Sequence, residues 1–80
     1  MRVINVVVTN KNGVQSIDSF GIFEEQLGQD VIDKAEKHFI HKIKSNNIEC
    51  EDETDEENYL GNGYADHDNG IIVAIVWSNI

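Results

Sequence analysis

The sequence predicts an α+β fold: two β-hairpins flanking one helix (ββαββ), with an antiparallel sheet carrying the helix on one face. Two observations predict it. Two Asn-Gly turn signals, Asn12-Gly13 and Asn69-Gly70, each join runs rich in β-branched residues. Between them lies a stretch of helical periodicity in which Ile32, Ala35, Phe39 and Ile43 recur on one face.

Each element has its own reason. Arg2–Thr9 reads as a strand because Val3, Ile4, Val6, Val7 and Val8 are β-branched and run into Asn10-Lys11-Asn12-Gly13. Asn-Gly suits the positive φ angles of a tight hairpin, so Val14–Phe20 is expected to return antiparallel until Gly21 breaks the pattern. Asp30 is the expected N-cap of the helix, with Asp33 in the first turn, where the helix dipole favours an acid. Val31 and Ile40 widen its apolar stripe, Lys42 and Lys44 occupy the last turn, and Asn46-Asn47 ends it. Glu24, Glu25 and Leu27 suggest an earlier turn interrupted by Gly28.

Residues 49–58 are a charge run with almost no apolar content, which reads as an extended or disordered acidic loop. A second hairpin follows: Tyr64–Asp68, the turn Asn69-Gly70, then Ile71–Ile80. The last strand is apolar on both sides. Ile71, Val73, Ile75 and Trp77 alternate with Ile72, Ala74, Val76 and Ile80. A sheet with one helix is expected to have one wet face, so something must cover the second. A partner subunit in a homodimer or the acidic loop folding back would each do so; a central strand with an under-covered face is the alternative.

Charge is distributed unevenly. Residues 1–44 balance six bases against six acids, whereas no Lys or Arg follows Lys44 and nine acids do, giving a net charge of −9. Such an anionic half opposes direct binding to nucleic acid or anionic lipid and favours a protein partner with a basic surface. At 80 residues the chain reads as one domain near the lower size limit for an unstapled core. Cys50 is the only cysteine, so neither an intramolecular disulfide nor a four-cysteine zinc site is available, and a reducing, cytoplasmic setting is expected. Val6–Val8 is too short for a signal sequence, and Ile71–Trp77 falls far below the roughly 20 residues of a membrane helix.

The candidate partner-binding residues are Glu49, Glu51, Asp52, Glu53, Asp55, Glu56 and Glu57 in the run, with Asp66 and Asp68 beyond it. Strand residues two apart lie about 6.6 Å apart on one face. Asp66 and Asp68 have that spacing, as would Glu49, Glu51 and Glu53 if extended, and such a ladder sets carboxylates where a basic groove receives phosphates. Tyr59 and Tyr64 flank the run, either as interface anchors or as part of the core. Cofactor or metal sites are not expected. Asp66-His67-Asp68-Asn69-Gly70 fails as a calcium loop, because the register puts Ala65 at the first ligand position and Val76 at the twelfth. His38 and His41, three apart, fall on a basic helix face with Lys34, Lys37 and Lys44, which suits solvent or the acidic half better than zinc. Without a Gly-rich phosphate loop, a nucleophile elbow or an arguable Cys–His–Asp arrangement, the chain does not read as an enzyme.

At the level of class, this short α+β chain with its isolated run Glu49–Glu57, Asp66 and Asp68, and no proline or disulfide, resembles small acidic phage inhibitors of bacterial defence, of the anti-CRISPR and anti-restriction type. The resemblance implies binding to a defence nuclease or CRISPR effector and blocking of its nucleic-acid channel, by mimicry or steric occlusion. The alternative is a small homodimeric assembly module that uses the apolar sheet face, with the acidic run only solubilising it.

Overall fold

The computed structural model describes residues 2–22, 28–67 and 70–79. Its elements are β1 (Arg2–Asn10), β2 (Gly13–Ile22), α1 (Gln29–Ser45), α2 (Glu53–Asn62), β3 (Tyr64–Asp66) and β4 (Ile72–Asn79). The four strands form one antiparallel sheet in the order β2-β1-β4-β3, so the fold is α+β as the alternation of strand and helix signals implies. The two hairpins meet through β1 and β4, paired from Arg2↔Asn79 to Thr9↔Ile72.

The first hairpin closes at Lys11-Asn12, where the Asn10 side chain accepts from the Asn12 amide at 2.8 Å and Gly13 takes a φ of 120°. One extra residue, Gln15, bulges out where the register shifts between Val8↔Ser16 and Thr9↔Val14. Gly21 does not end the strand; pairing with Val3 carries β2 through to Ile22. Glu24, Glu25, Leu27, Asp68, Asn69 and Ile80 lie outside the described residues.

α1 begins two residues earlier than the Asp30 cap predicts. Gly28 is its N-cap and offers no side chain, and the helix packs so tightly onto β2 there that a Cβ would stand 3.1 Å from Ile22 Cγ2. Asp30 instead sits in the first turn. The C-terminus is a Schellman motif: Asn47 adopts φ 62°, its amide bonds to the Lys44 carbonyl, and the Ile48 amide reaches the Ile43 carbonyl at 3.1 Å. Ile48 is thereby delivered into the core beside Ile43.

The acidic run is the main departure from expectation. It is not an extended loop throughout: from Glu53 onward it is helix α2. Asp52 caps it, accepting from the Asp55 amide at 3.0 Å, while the Asp55 carboxylate accepts from the Glu51 amide at 2.9 Å. Acids are the favoured residues in this first turn, because the helix dipole puts positive charge there. Gly63, at φ 78°, closes the helix with its amide on the Tyr59 carbonyl.

Ile4, Val6 and Val8 of β1 point to the helix side, with Val73 and Ala65 beside them. Ala35, Phe39 and Ile43, one turn apart on α1, are fully buried against them, and Tyr59 and Leu60 of α2 pack at the margin. Complete burial of Phe39 makes truncation to alanine cost about 3–5 kcal/mol. The Cα envelope is only 17 Å thick, room for one sheet and one helical layer of roughly 10 Å each.

Candidate functional site

Two surfaces emerge from this architecture. The first is the acidic end formed by residues 49–57. Glu49, Glu51, Asp52, Glu53 and Glu57 are exposed there, whereas Asp55 and Glu56 are half-buried. Three of these acids already have structural work: Asp52 and Asp55 hold the start of α2, and Glu56 pairs with Lys44 Nζ at 3.3 Å. That ion pair joins the basic side of α1 to the acidic helix within one molecule. At such exposure it contributes only about 0–1 kcal/mol.

The expected carboxylate ladder is therefore different in kind. Glu49, Glu51 and Glu53 do not alternate along a strand, since Glu53 is helical. Glu53 and Glu57, four apart on α2, instead project from consecutive turns with Cβ atoms about 5–6 Å apart. Asp66 stands elsewhere. It pairs with Ile72 in β3, and by strand alternation it faces the side of the sheet away from the helices. Asp68 is outside the described residues.

The two tyrosines separate. Tyr59 packs against the core and donates its hydroxyl to the Glu49 carbonyl, tying the loop to α2. Burial pushes its phenol pKa up, and nearby Cys50, Asp55 and Glu49 add to the effect. Tyr64 lies on the opposite side of the sheet and is exposed. Cys50 sits at the core margin; burial raises its thiol pKa, which Lys44 only partly offsets against Glu56, Asp55 and Asp52. A thiol so placed is a poor nucleophile at neutral pH.

The histidines stay neighbours, their ring centroids 6.4 Å apart, but have different partners. His38 Nε2 meets Asp18 Oδ2 on β2 at 2.7 Å, with the Phe20 ring tilted 57° to it at 5.6 Å between ring centroids. His41 is exposed and lines an open groove of about 400 Å³ between α1 and α2, floored by Ile40 and Leu60 and edged by Lys37, Lys44, Glu36 and Glu56. Among the described residues, no group of three or more His, Cys, Asp or Glu side chains is placed to hold a metal ion. No described helix is long and apolar enough to cross a membrane.

The second surface is the sheet face opposite the helices. No described element covers it. Val14 is 61% exposed, Ile17 57%, Tyr64 53%, Val76 48% and Ile72 43%. The acidic segment does not fold back over it, because α2 packs on the helix side. Val14 and Ile17 were not singled out from the sequence; their side follows from the Gln15 bulge, which shifts the alternation within β2.

No protein-family model, curated protein or solved structure matches this chain.

Proposed function

We propose that the chain is a non-enzymatic binding protein whose acidic end docks on the basic nucleic-acid-binding surface of an effector, such as a defence nuclease, and blocks it. One observation carries this reading. Glu53 and Glu57 project from consecutive turns of α2, Glu49 and Glu51 flank them, and the neighbouring base Lys44 is already matched to Glu56. The local negative field is therefore uncompensated and held on an ordered scaffold rather than a flexible loop. An ordered array loses less entropy on docking than a disordered one does.

Charge-steered association has a signature. Raising salt from about 0.1 M to about 1 M shortens the screening length from about 10 Å to about 3 Å, and affinity falls accordingly. The test is a pull-down from nuclease-treated bacterial lysate with the native chain and with a Glu49→Gln/Glu51→Gln/Glu53→Gln/Glu57→Gln variant. This set spares Asp52, Asp55 and Glu56, so α2 stays folded. Recovery of a nucleic-acid-handling protein by the native chain alone, eluted by salt, is the expected result. Equal recovery by both chains overturns the proposal.

A further inference from the structure

We propose that two copies of this chain pair face to face through the uncovered side of the sheet, making a four-layer sandwich with the helices outermost. This surface is distinct from the acidic end, and the proposal does not rest on the docking reading.

Four features of that face converge on a second copy as its occupant. The first is composition: apolar side chains from β2, β3 and β4 stand together in the open on one face. The second is the state of its polar groups. Asn5, near the middle of the face, accepts from Ser19 Oγ at 2.7 Å through Oδ1 and donates to Ser78 Oγ at 3.2 Å through Nδ2. Both ends of the amide are thus bonded sideways within the sheet. Covering the face leaves neither stranded without a partner, which removes the usual penalty for burying an asparagine.

The third is charge. Among the described residues of this face, the one charged side chain is Asp66, at the corner on edge strand β3. A basic partner finds no counter-charge here. Two copies of a chain with net charge −9 meet with little repulsion on a surface from which charge has been cleared, and this is such a surface. One sheet face can also meet a second copy of itself: two sheets of equal twist pack with their strands offset by about 30°, an arrangement compatible with a two-fold dimer.

The fourth is area. β1 and β4 pair over eight residues, and with strands about 4.8 Å apart and about 3.4 Å per residue the face covers roughly 450 Å². Two such faces bury roughly 900 Å² or more, below the roughly 1,200–2,000 Å² of a specific, stable complex and within the range of a weak, reversible one. The dimer is therefore concentration-dependent.

Sedimentation equilibrium from about 1 μM to about 1 mM, the range in which interfaces of this size dissociate, tests the proposal. The expected result is an average mass that rises from the 9.0 kDa of one chain towards twice that value. Val76→Glu, on central strand β4 and already half-exposed in one chain, should weaken the association roughly 100-fold or more by burying unpaired carboxylates. Its circular dichroism should be unchanged. Ile17→Lys on β2 is the second variant and should act the same way if Val76→Glu fails to fold. The four-Glu→Gln variant of the acidic end should dimerise at least as well as the native chain. A native chain that stays at one-chain mass throughout overturns the proposal. So does a folded Val76→Glu or Ile17→Lys chain that self-associates as the native one does, the outcome expected if β2 edges paired instead.

Discussion

Asp18 Oδ2 on β2 and His38 Nε2 on α1 stand 2.7 Å apart, so a side-chain bridge clamps the helix to an edge strand of the sheet. The hydrogen bond from His38 holds the Asp18 carboxyl below its ordinary value, outweighing the opposing effect of desolvation, with the charges of His38 and Lys42 assisting. A carboxylate depressed in the folded state stabilises the fold above its unfolded pKa of about 3.9, and this contribution is lost as pH falls through the depressed value. Urea midpoints measured down through that acid range should fall less steeply for Asp18→Asn than for the native chain. Parallel slopes would show that the bridge does not contribute.

Removing the Asp52 cap should destabilise α2 without touching the core. Asp52→Ala is expected to cost about 1 kcal/mol, and Asp52→Ser or Asp52→Asn much less, because their side chains still accept from the Asp55 amide. In a domain of this size a loss of about 1 kcal/mol lowers Tm by about 4–8 °C, which thermal denaturation followed by circular dichroism resolves.

Asn47 occupies the left-handed region at φ 62° and turns the chain so that Ile48 enters the core. A β-branched residue there should cost about 1–2 kcal/mol, so Asn47→Val should lower the urea midpoint. Asn47→Gly should match or exceed the native chain, since glycine carries no Cβ penalty. If Asn47→Val were neutral, the turn would not constrain the helix end.

Burial raises the Cys50 thiol pKa. Alkylation at neutral pH should therefore run several-fold slower than for a free thiol of pKa about 8.5, and should accelerate in denaturant. Equal rates in folded and unfolded protein would place the thiol in solvent.

The elements with a periodic apolar signal were legible in the sequence. Val3–Val8, a turn within Asn10–Gly13 and the stripe through Phe39 and Ile43 appear where the sequence signals put them, although the turn closes at Lys11-Asn12 rather than Asn12-Gly13. α2 was hidden because its signal is not apolar: only Tyr59 and Leu60 face the core, and the helix is specified by its ends. Those ends were nonetheless written in the chain, as Asp52 three residues before Asp55 and as Gly63 in a left-handed turn. The pairing of β1 with β4 had no local trace, since register between distant strands is set by tertiary packing. For the candidate site, composition located the acids but not their division of labour: Asp52, Asp55 and Glu56 are structural, while Glu49, Glu51, Glu53 and Glu57 remain exposed. The two-sided apolarity of β4 did point to an uncovered face.

Because β1 pairs with β4 from Arg2 to Thr9, the centre of the sheet joins the first described strand to the last. A ribosome adds about 5–20 residues per second, so β1 waits for seconds with one edge unpaired and its valines uncovered. Sheet closure is consequently an event after synthesis of β4, slowed by the long loop that must be drawn in. A nascent chain stalled before Ile72 should bind hydrophobic chaperones, and release of the remaining residues should end that dependence.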